Sequence, residues 1–253
     1  MDENAFRTMF ETQARSSALR DVWRDAYGDD FPEDADPASF VTRADLRGIL
    51  EALDLGSGDD LVDVGCGPGG PGAAVARANG ARLTGIDPVA AALELARDRQ
   101  LATLPAGSAF RRGDFTATGL ADSYADGLMS TDALLFAPDP AAAFAEFARI
   151  LEKGRRMAFT TFELRSHSKA LAAGPIPDYR PFLSSAGFVV ESYEETPDWE
   201  RRMRAVFSGI LSRRERIERE VGDATASLLC AWATLRPSEL SESRRIAVVA
   251  LRP

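Results

Sequence analysis

Three glycines and a cysteine in the first third of the chain have the spacing of a ligand-binding turn. Gly65, Gly67 and Gly69 lie in the run Asp-Val-Gly-Cys-Gly-Pro-Gly-Gly at 63–70, which follows a short apolar stretch and precedes an alanine-rich one. Glycine permits tight backbone dihedrals and leaves no side chain between the loop and a ligand. A helix that begins after such a loop offers free N–H groups. The run therefore predicts a binding turn between a strand and a helix, with Cys66 inside it.

Three aspartates indicate which ligand this turn would take, because the glycines alone also match a dinucleotide fingerprint. Asp63 precedes the first glycine, where a carboxylate would repel a pyrophosphate but could orient an ammonium group. Asp87 follows the next apolar run and could accept both hydroxyls of a ribose. Asp114 ends a third run and could accept from an exocyclic amine, while Phe115 covers a purine ring. S-adenosylmethionine has these groups and no phosphate. Each acid alone could equally cap a turn.

Short apolar runs alternate with helical patterns from residue 60 onward, and these elements must position the acids. Helices are predicted between the runs, one of them capped by Asp139 and Pro140 and followed by Gly154 as a left-handed cap. Seven strands are predicted, over 61–64, 82–86, 109–111, 127–129, 157–161, 188–193 and 246–251. Strand–helix alternation predicts a doubly wound, mostly parallel α/β sheet covered on both faces.

Two helical segments fall outside this alternation. We interpret residues 1–56 as an N-terminal helical lid and 57–253 as the ligand-binding domain, with a helical insert at about 198–240. Ligand clefts in such sheets open at the carboxyl ends of the strands, which these segments would cover. Aromatic residues at this spacing also form ordinary cores. The predicted acceptor-binding residues are Trp23, Tyr27, Tyr179 and Phe207.

An ordered set of motifs resembles the class I S-adenosylmethionine-dependent methyltransferases, in the quinone-methyltransferase-like branch of small-molecule enzymes. It comprises 63–70, 85–87 (Gly-Ile-Asp), 113–114 (Gly-Asp), 146–151 (Glu-Phe-Ala-Arg-Ile-Leu) and 185–188 (Ser-Ala-Gly-Phe). The resemblance implies a seven-stranded Rossmann-like sheet with an antiparallel last strand, and S-adenosylhomocysteine as product. The implied cofactor-binding set is Asp63, Gly65, Cys66, Gly67, Gly69, Asp87, Pro88, Asp114, Phe115 and Ser130.

Two residues are predicted to act on the acceptor, which the sequence favours as a small aromatic or apolar metabolite. Asp132 follows the fourth strand beside the expected methyl position, where it could hold an acceptor or cap a turn. His167 is the single histidine and follows the fifth strand, so it is the first choice as general base, or else a solvated loop residue. Glu163 and Tyr179 are weaker candidates for the base.

The composition argues against a nucleic-acid-binding protein, a membrane-spanning protein and a protein stabilised by disulfides or zinc. The net charge of −9 has the wrong sign for binding nucleic acid, and no run approaches the roughly 20 apolar residues that span a bilayer. Two cysteines support neither a disulfide framework nor a zinc cluster, so no metal is expected. A cytoplasmic location is predicted, and a homodimer is left open.

Three alternatives to methyl transfer remain. An enzyme of the same fold could use the bound sulfonium for a non-methylating reaction such as cyclisation. An NAD-dependent oxidoreductase is disfavoured by Asp63 and Asp114. A binding module without catalysis is disfavoured by the intact ligand motifs.

Overall fold

Seven strands form one sheet in the order β3-β2-β1-β4-β5-β7-β6. The computed structural model describes Thr8, Phe10, Thr12 and residues 16–35, 40–165, 176–238 and 240–253. The strands are β1 Asp60–Val64, β2 Arg82–Asp87, β3 Ala109–Arg112, β4 Ala125–Thr131, β5 Leu151–Leu164, β6 Val189–Glu195 and β7 Ser243–Leu251. The first five pair in parallel, and β7 runs antiparallel to both β5 and β6. The predicted mostly parallel α/β sheet with an antiparallel last strand is confirmed.

Helices cover both faces of this sheet. They are α1 Ser17–Tyr27, α2 Arg43–Leu53, α3 Gly70–Asn79, α4 Ala90–Gln100, α5 Pro140–Ile150, α6 Arg180–Ser185, α7 Trp199–Ser212, α8 Arg214–Val221 and α9 Asp223–Leu235. Helices α2, α3 and α4 share one apolar cluster with the sheet. Helices α5 and α6 share another cluster with the opposite face. The central strands are apolar because both of their faces are buried. In the part of the chain described here, no helix is long and apolar enough to span a bilayer.

The predicted insert is helical and divides into α7, α8 and α9. Its apolar side chains form a third cluster with α1 that also takes in Phe162, near the carboxyl end of β5. Helix α1 begins at a Ser16 cap, whose side chain accepts from the Leu19 N–H at 3.1 Å. The N-terminal and late helices therefore pack on each other and on the carboxyl end of the sheet.

The predicted start of α5 is confirmed, but its predicted end is wrong. Asp139 accepts from the Ala142 N–H at 3.0 Å, and Pro140 opens the helix. Gly154 does have a left-handed φ of 80°. However, β5 begins directly after the helix, so Gly154 lies within the strand, where its N–H donates to the Arg252 carbonyl at 2.7 Å.

Candidate cofactor and acceptor site

The glycine loop turns sharply from β1 into α3 because its backbone is tied to the neighbouring strand. The N–H groups of Gly65 and Cys66 both donate to the Ile86 carbonyl, at 2.8 and 3.1 Å. Gly65 and Gly67 have φ values of 77° and 52°, which L side chains rarely adopt. A Cβ on Gly65 would lie 2.5 Å from the Ala133 Cβ, so the loop packs directly on the segment after β4.

The N-terminal region covers the same loop. A Cβ on Gly70 would lie 1.5 Å from the Ala35 carbonyl oxygen, and one on Gly67 would lie 3.4 Å from the Phe10 ring. Phe10 is itself buried and packs with Val89 at the start of α4. Sequence reasoning missed these contacts. Gly70, the third glycine of the dinucleotide fingerprint after Gly65 and Gly67, was visible in the sequence, but its contact with Ala35 was not.

Asp63 is a fully buried carboxylate to which no described residue donates a hydrogen bond of ordinary geometry, although the Gly72 amide lies close to it. Burial raises its pKa to about 7, the neighbouring Asp87 carboxylate adds to the rise, and the Gly72 amide opposes it. Buried polar groups are nearly always hydrogen-bonded. An unmatched acid behind a glycine loop therefore fits a cationic ligand group such as an ammonium.

Asp87 joins the loop to the start of α4. Its two carboxylate oxygens accept from the N–H groups of Gly67 at 2.8 Å and Val89 at 2.9 Å. Burial raises its pKa, and these two amides oppose the rise. Each oxygen has a further lone pair, so the group can also accept from a vicinal diol. Pro88, the residue after it, is exposed.

Asp114 and Phe115 follow β3 at the edge of the same loop. One oxygen of Asp114 accepts from Thr116, through its N–H and its hydroxyl at 2.8 Å each, and from the Ala117 N–H at 2.9 Å. The carboxylate is exposed, and its second oxygen accepts no hydrogen bond from the described residues, which suits an exocyclic amine. The Phe115 ring lies 3.1 Å from the position of a Cβ on Gly65. The structure thus brings Phe115 onto the glycine loop.

Ser130 and Cys66 support the loop from within. The Ser130 hydroxyl donates to the Val64 carbonyl at 2.8 Å and joins β4 to β1. The buried Cys66 thiol donates weakly to the Gly67 carbonyl at 3.6 Å, and burial raises its pKa, so it stays a thiol.

Asp132 lies beside the loop as predicted, but its oxygens are already bonded. Arg245 donates to them through Nε at 2.9 Å and Nη2 at 3.2 Å. The Thr160 hydroxyl and the Phe40 N–H also donate, at 3.1 and 2.9 Å. Asp132 has a left-handed φ of 51°, which aspartate tolerates better than most residues. These four hydrogen bonds tie the segment after β4 to Arg245, to Thr160 of β5 and to Phe40.

Arg245 was missed by sequence reasoning. It is fully buried and also donates to Asp45 in the first turn of α2 at 2.9 Å and to the Thr196 hydroxyl at 3.3 Å. Burial lowers its pKa, but the Asp132 and Asp45 carboxylates outweigh burial and raise it. The sequence did contain a signal for it: Arg244 and Arg245 lead into an apolar strand. Because adjacent strand residues face opposite sides, one arginine should face each side of the sheet.

Glu163 pairs with the other arginine on the opposite face of the sheet. It is fully buried, and it accepts from the Arg244 Nε at 2.8 Å, from the Tyr179 N–H at 3.1 Å and from the Tyr193 hydroxyl. Burial raises the pKa of Tyr179 to about 12. Tyr179 packs among Phe144 and other side chains of the α5 cluster, so the structure separates it from the other predicted acceptor residues.

Trp23, Tyr27 and Phe207 do come together, in the cluster of α1 and the late helices. Trp23 stacks on Phe40 with ring centroids 6.2 Å apart, and Phe207 meets Trp232 edge to face at 4.8 Å. The Tyr27 hydroxyl donates to the Phe40 carbonyl at 3.1 Å, and burial raises its pKa. His167, the predicted base, lies outside the described residues.

Among the described residues, no three His, Cys, Asp or Glu side chains are grouped so that they could bind a metal ion.

Comparisons with known proteins agree with this arrangement. Residues 62–159 match the family model described as a methyltransferase domain. Methyltransferase GfsG of Streptomyces halstedii is 31% identical over 135 residues, 53% of this chain and 49% of GfsG. O-methyltransferase resE of Aspergillus sclerotiorum is 25% identical over 216 residues, 81% of this chain and 82% of resE. The match to GfsG thus spans about half of that protein, whereas the match to resE spans most of it.

Among solved structures, the 4+2 cyclase SpnF superposes with a TM-score of 0.72 at 23% identity, over 82% of this chain and 79% of SpnF. This likeness concerns the fold. The domain match covers residues 62–159, and the sequence relatives are named methyltransferases, so this chain is similar to methyltransferases in sequence as well as in fold.

Proposed function

We propose that this protein transfers a methyl group from S-adenosylmethionine to a small aromatic or apolar metabolite. The observation that carries the proposal is Asp63, a buried acid without a hydrogen-bond donor behind a loop of left-handed glycines. Binding an ammonium there would supply the missing donor and favour the ionised acid. A dinucleotide would instead bring a pyrophosphate against this carboxylate.

The surrounding residues fit the other parts of the cofactor. Asp87 accepts from the ribose hydroxyls, and Asp114 accepts from the exocyclic amine of an adenine that packs on Phe115. Pro88 and Ser130 border the same site. When bound, S-adenosylmethionine supplies a methyl group activated by positive sulfur, so the chain has mainly to align the acceptor and exclude water.

The acceptor lies under the aromatic cluster of α1 and the late helices, between Trp23, Tyr27 and Phe207. Relatives named as O-methyltransferases support a small-molecule acceptor. Asp132 positions the segment after β4 because Arg245 holds its charge. His167 is our candidate base for an acceptor that must lose a proton.

Calorimetric titration with S-adenosylmethionine and with S-adenosylhomocysteine tests the cofactor site. We expect saturable binding of both ligands in the wild type. In Asp87→Ala we expect the affinity to fall at least tenfold, because the Gly67 N–H and the ribose hydroxyls both lose the carboxylate that accepts their hydrogen bonds. Asp98→Ala, an exposed position on α4, is the matched control and should bind normally. Absence of binding in the wild type would refute the proposal.

Incubation with a panel of aromatic acceptors then tests the reaction. Stoichiometric formation of S-adenosylhomocysteine with a methylated product is the expected result. Conversion of an acceptor with no S-adenosylhomocysteine formed would instead support the cyclisation alternative.

A further inference from the structure

The indole N–H of Trp23 is a buried donor that has no acceptor among the described residues. Trp23 is 7% exposed, and its Nε1 has no hydrogen-bond partner in the described chain. By contrast, the Nε1 of Trp199 donates to Glu195 at 2.8 Å. Buried N–H groups are almost always matched, and an unmatched one costs free energy. An orphaned donor at this depth therefore indicates a missing partner.

Trp23 lies close to the point where methyl transfer is expected. Its ring stacks on Phe40, whose N–H donates to Asp132 directly after β4. The next residue, Ala133, lies against Gly65 of the glycine loop. A chain of contacts through Phe40, Asp132 and Ala133 therefore connects Trp23 to the glycine loop.

The side chains that surround Trp23 are mostly apolar or aromatic, and none of the described residues accepts a hydrogen bond from its indole N–H. Phe40 meets Phe162 edge to face at 5.9 Å and stacks with Trp232 at 6.3 Å. The hydroxyl of Tyr27 is already bonded to the Phe40 carbonyl. In the aromatic cluster, as far as the chain is described, Trp23 carries the one buried side-chain donor without a partner.

We propose that Trp23 Nε1 donates a hydrogen bond to an oxygen of the methyl acceptor. An indole N–H only donates, so its partner must be an acceptor atom. Apolar walls disfavour an isolated charge. The substrate class is thus a planar, uncharged molecule with a carbonyl or other ring-bound oxygen. This inference rests on the proposed function.

A matched pair of probes tests this assignment. 9-Fluorenone and fluorene are planar and alike in shape, and only the first has a carbonyl oxygen. Each is titrated by calorimetry into protein saturated with S-adenosylhomocysteine, as wild type and as Trp23→Phe, which removes the N–H and keeps an aromatic ring. We expect the Kd of fluorenone to rise about tenfold in the variant, which is about 1.4 kcal/mol, and the Kd of fluorene to stay within twofold.

Trp232→Phe is the control variant, because its ring packs in the same cluster and should affect both probes alike. In wild-type protein labelled with 15N-tryptophan, the Trp23 indole N–H signal should move on adding fluorenone and not on adding fluorene. This second measurement does not depend on the variant folding.

Either of two results would overturn the inference while leaving the proposed function intact. One is binding of S-adenosylhomocysteine without binding of fluorenone. The other is equal sensitivity of both probes to Trp23→Phe, as expected if a buried water takes the N–H. Failure to bind S-adenosylhomocysteine would instead contradict the proposed function itself.

Discussion

Replacing Arg245 with methionine should destabilise the protein more than any loss of a surface ion pair. The arginine is fully buried and makes four hydrogen bonds, two to Asp132 and one each to Asp45 and Thr196. Methionine occupies the space of the aliphatic part of the arginine side chain, but it leaves the buried carboxylates of Asp132 and Asp45 without their cation. Removing one partner of a buried pair costs about 3–5 kcal/mol, and here a single cation serves two acids.

Urea denaturation followed by far-UV circular dichroism measures this loss. Arg82→Met is the matched control, because Arg82 also bonds an aspartate through two nitrogens, Asp60 at 2.9 and 2.7 Å, but its side chain is 42% exposed. An exposed pair contributes about 0–1 kcal/mol. We expect a decrease of about 3–5 kcal/mol in the free energy of unfolding for Arg245→Met and a much smaller decrease for Arg82→Met. In a chain of this size the first decrease corresponds to a melting temperature lower by about 10 °C.

The double variant Arg245→Met/Asp132→Asn distinguishes a charge effect from a packing effect. Neutralising Asp132 removes one of the stranded charges, so the double variant should be more stable than Arg245→Met alone. The reasoning would be refuted if Arg245→Met unfolded within about 1 kcal/mol of the wild type, or if the second substitution added to the loss.

Two further perturbations follow from the glycine loop. Gly70→Ala should abolish cofactor binding and lower stability, because the new Cβ would lie 1.5 Å from the Ala35 carbonyl oxygen. Gly48→Ala, in a helix with no atom within 4 Å of the new Cβ, should be stabilising by about 0.5–1 kcal/mol. Calorimetry and urea denaturation of both variants check this, and similar binding and stability of the two variants would contradict it. Burial raises the pKa of Asp63 from 3.8 to about 7, so its contribution to ligand-free stability is fully present below about pH 4 and is lost as the pH rises through 7. Asp63→Asn should remove that slope and be more stable at pH 8 by on the order of 4 kcal/mol in urea titrations from pH 5 to 8, and parallel profiles would exclude the buried acid as the cause. Wild-type affinity for S-adenosylmethionine should rise over the same range.

The fold and the cofactor loop could be predicted because their signals are local. Leu61, Val62 and Val64 of β1 are apolar because both faces of the strand are buried, and the left-handed glycines follow it within five residues. Asp63 and Asp87 end adjacent parallel strands, so strand prediction alone brings them to one edge of the sheet. None of this needs a side-chain contact between distant segments.

The acceptor side depended on contacts that no local pattern encodes. Asp132 was predicted near the methyl position, yet its bond to Arg245 joins residues 113 positions apart. Tyr179 was predicted among the acceptor-binding residues, but it lies directly before α6 and packs in the α5 cluster on the other face of the sheet. Sequence spacing within one element gives no information on which distant element supplies the partner.

The last strand connects these distant parts. β7 enters the sheet between β5 and β6, so two consecutive arginines face opposite sides beside the carboxyl end of β5. Arg244 neutralises Glu163 on one face, and Arg245 neutralises Asp132 on the other. Because Asp132 also accepts from the Phe40 N–H, the cation in the final strand holds the segment on which Trp23 stacks. The C-terminal strand therefore also fixes Phe40 within the aromatic cluster, and a substitution at Arg245 should weaken binding at the proposed acceptor site.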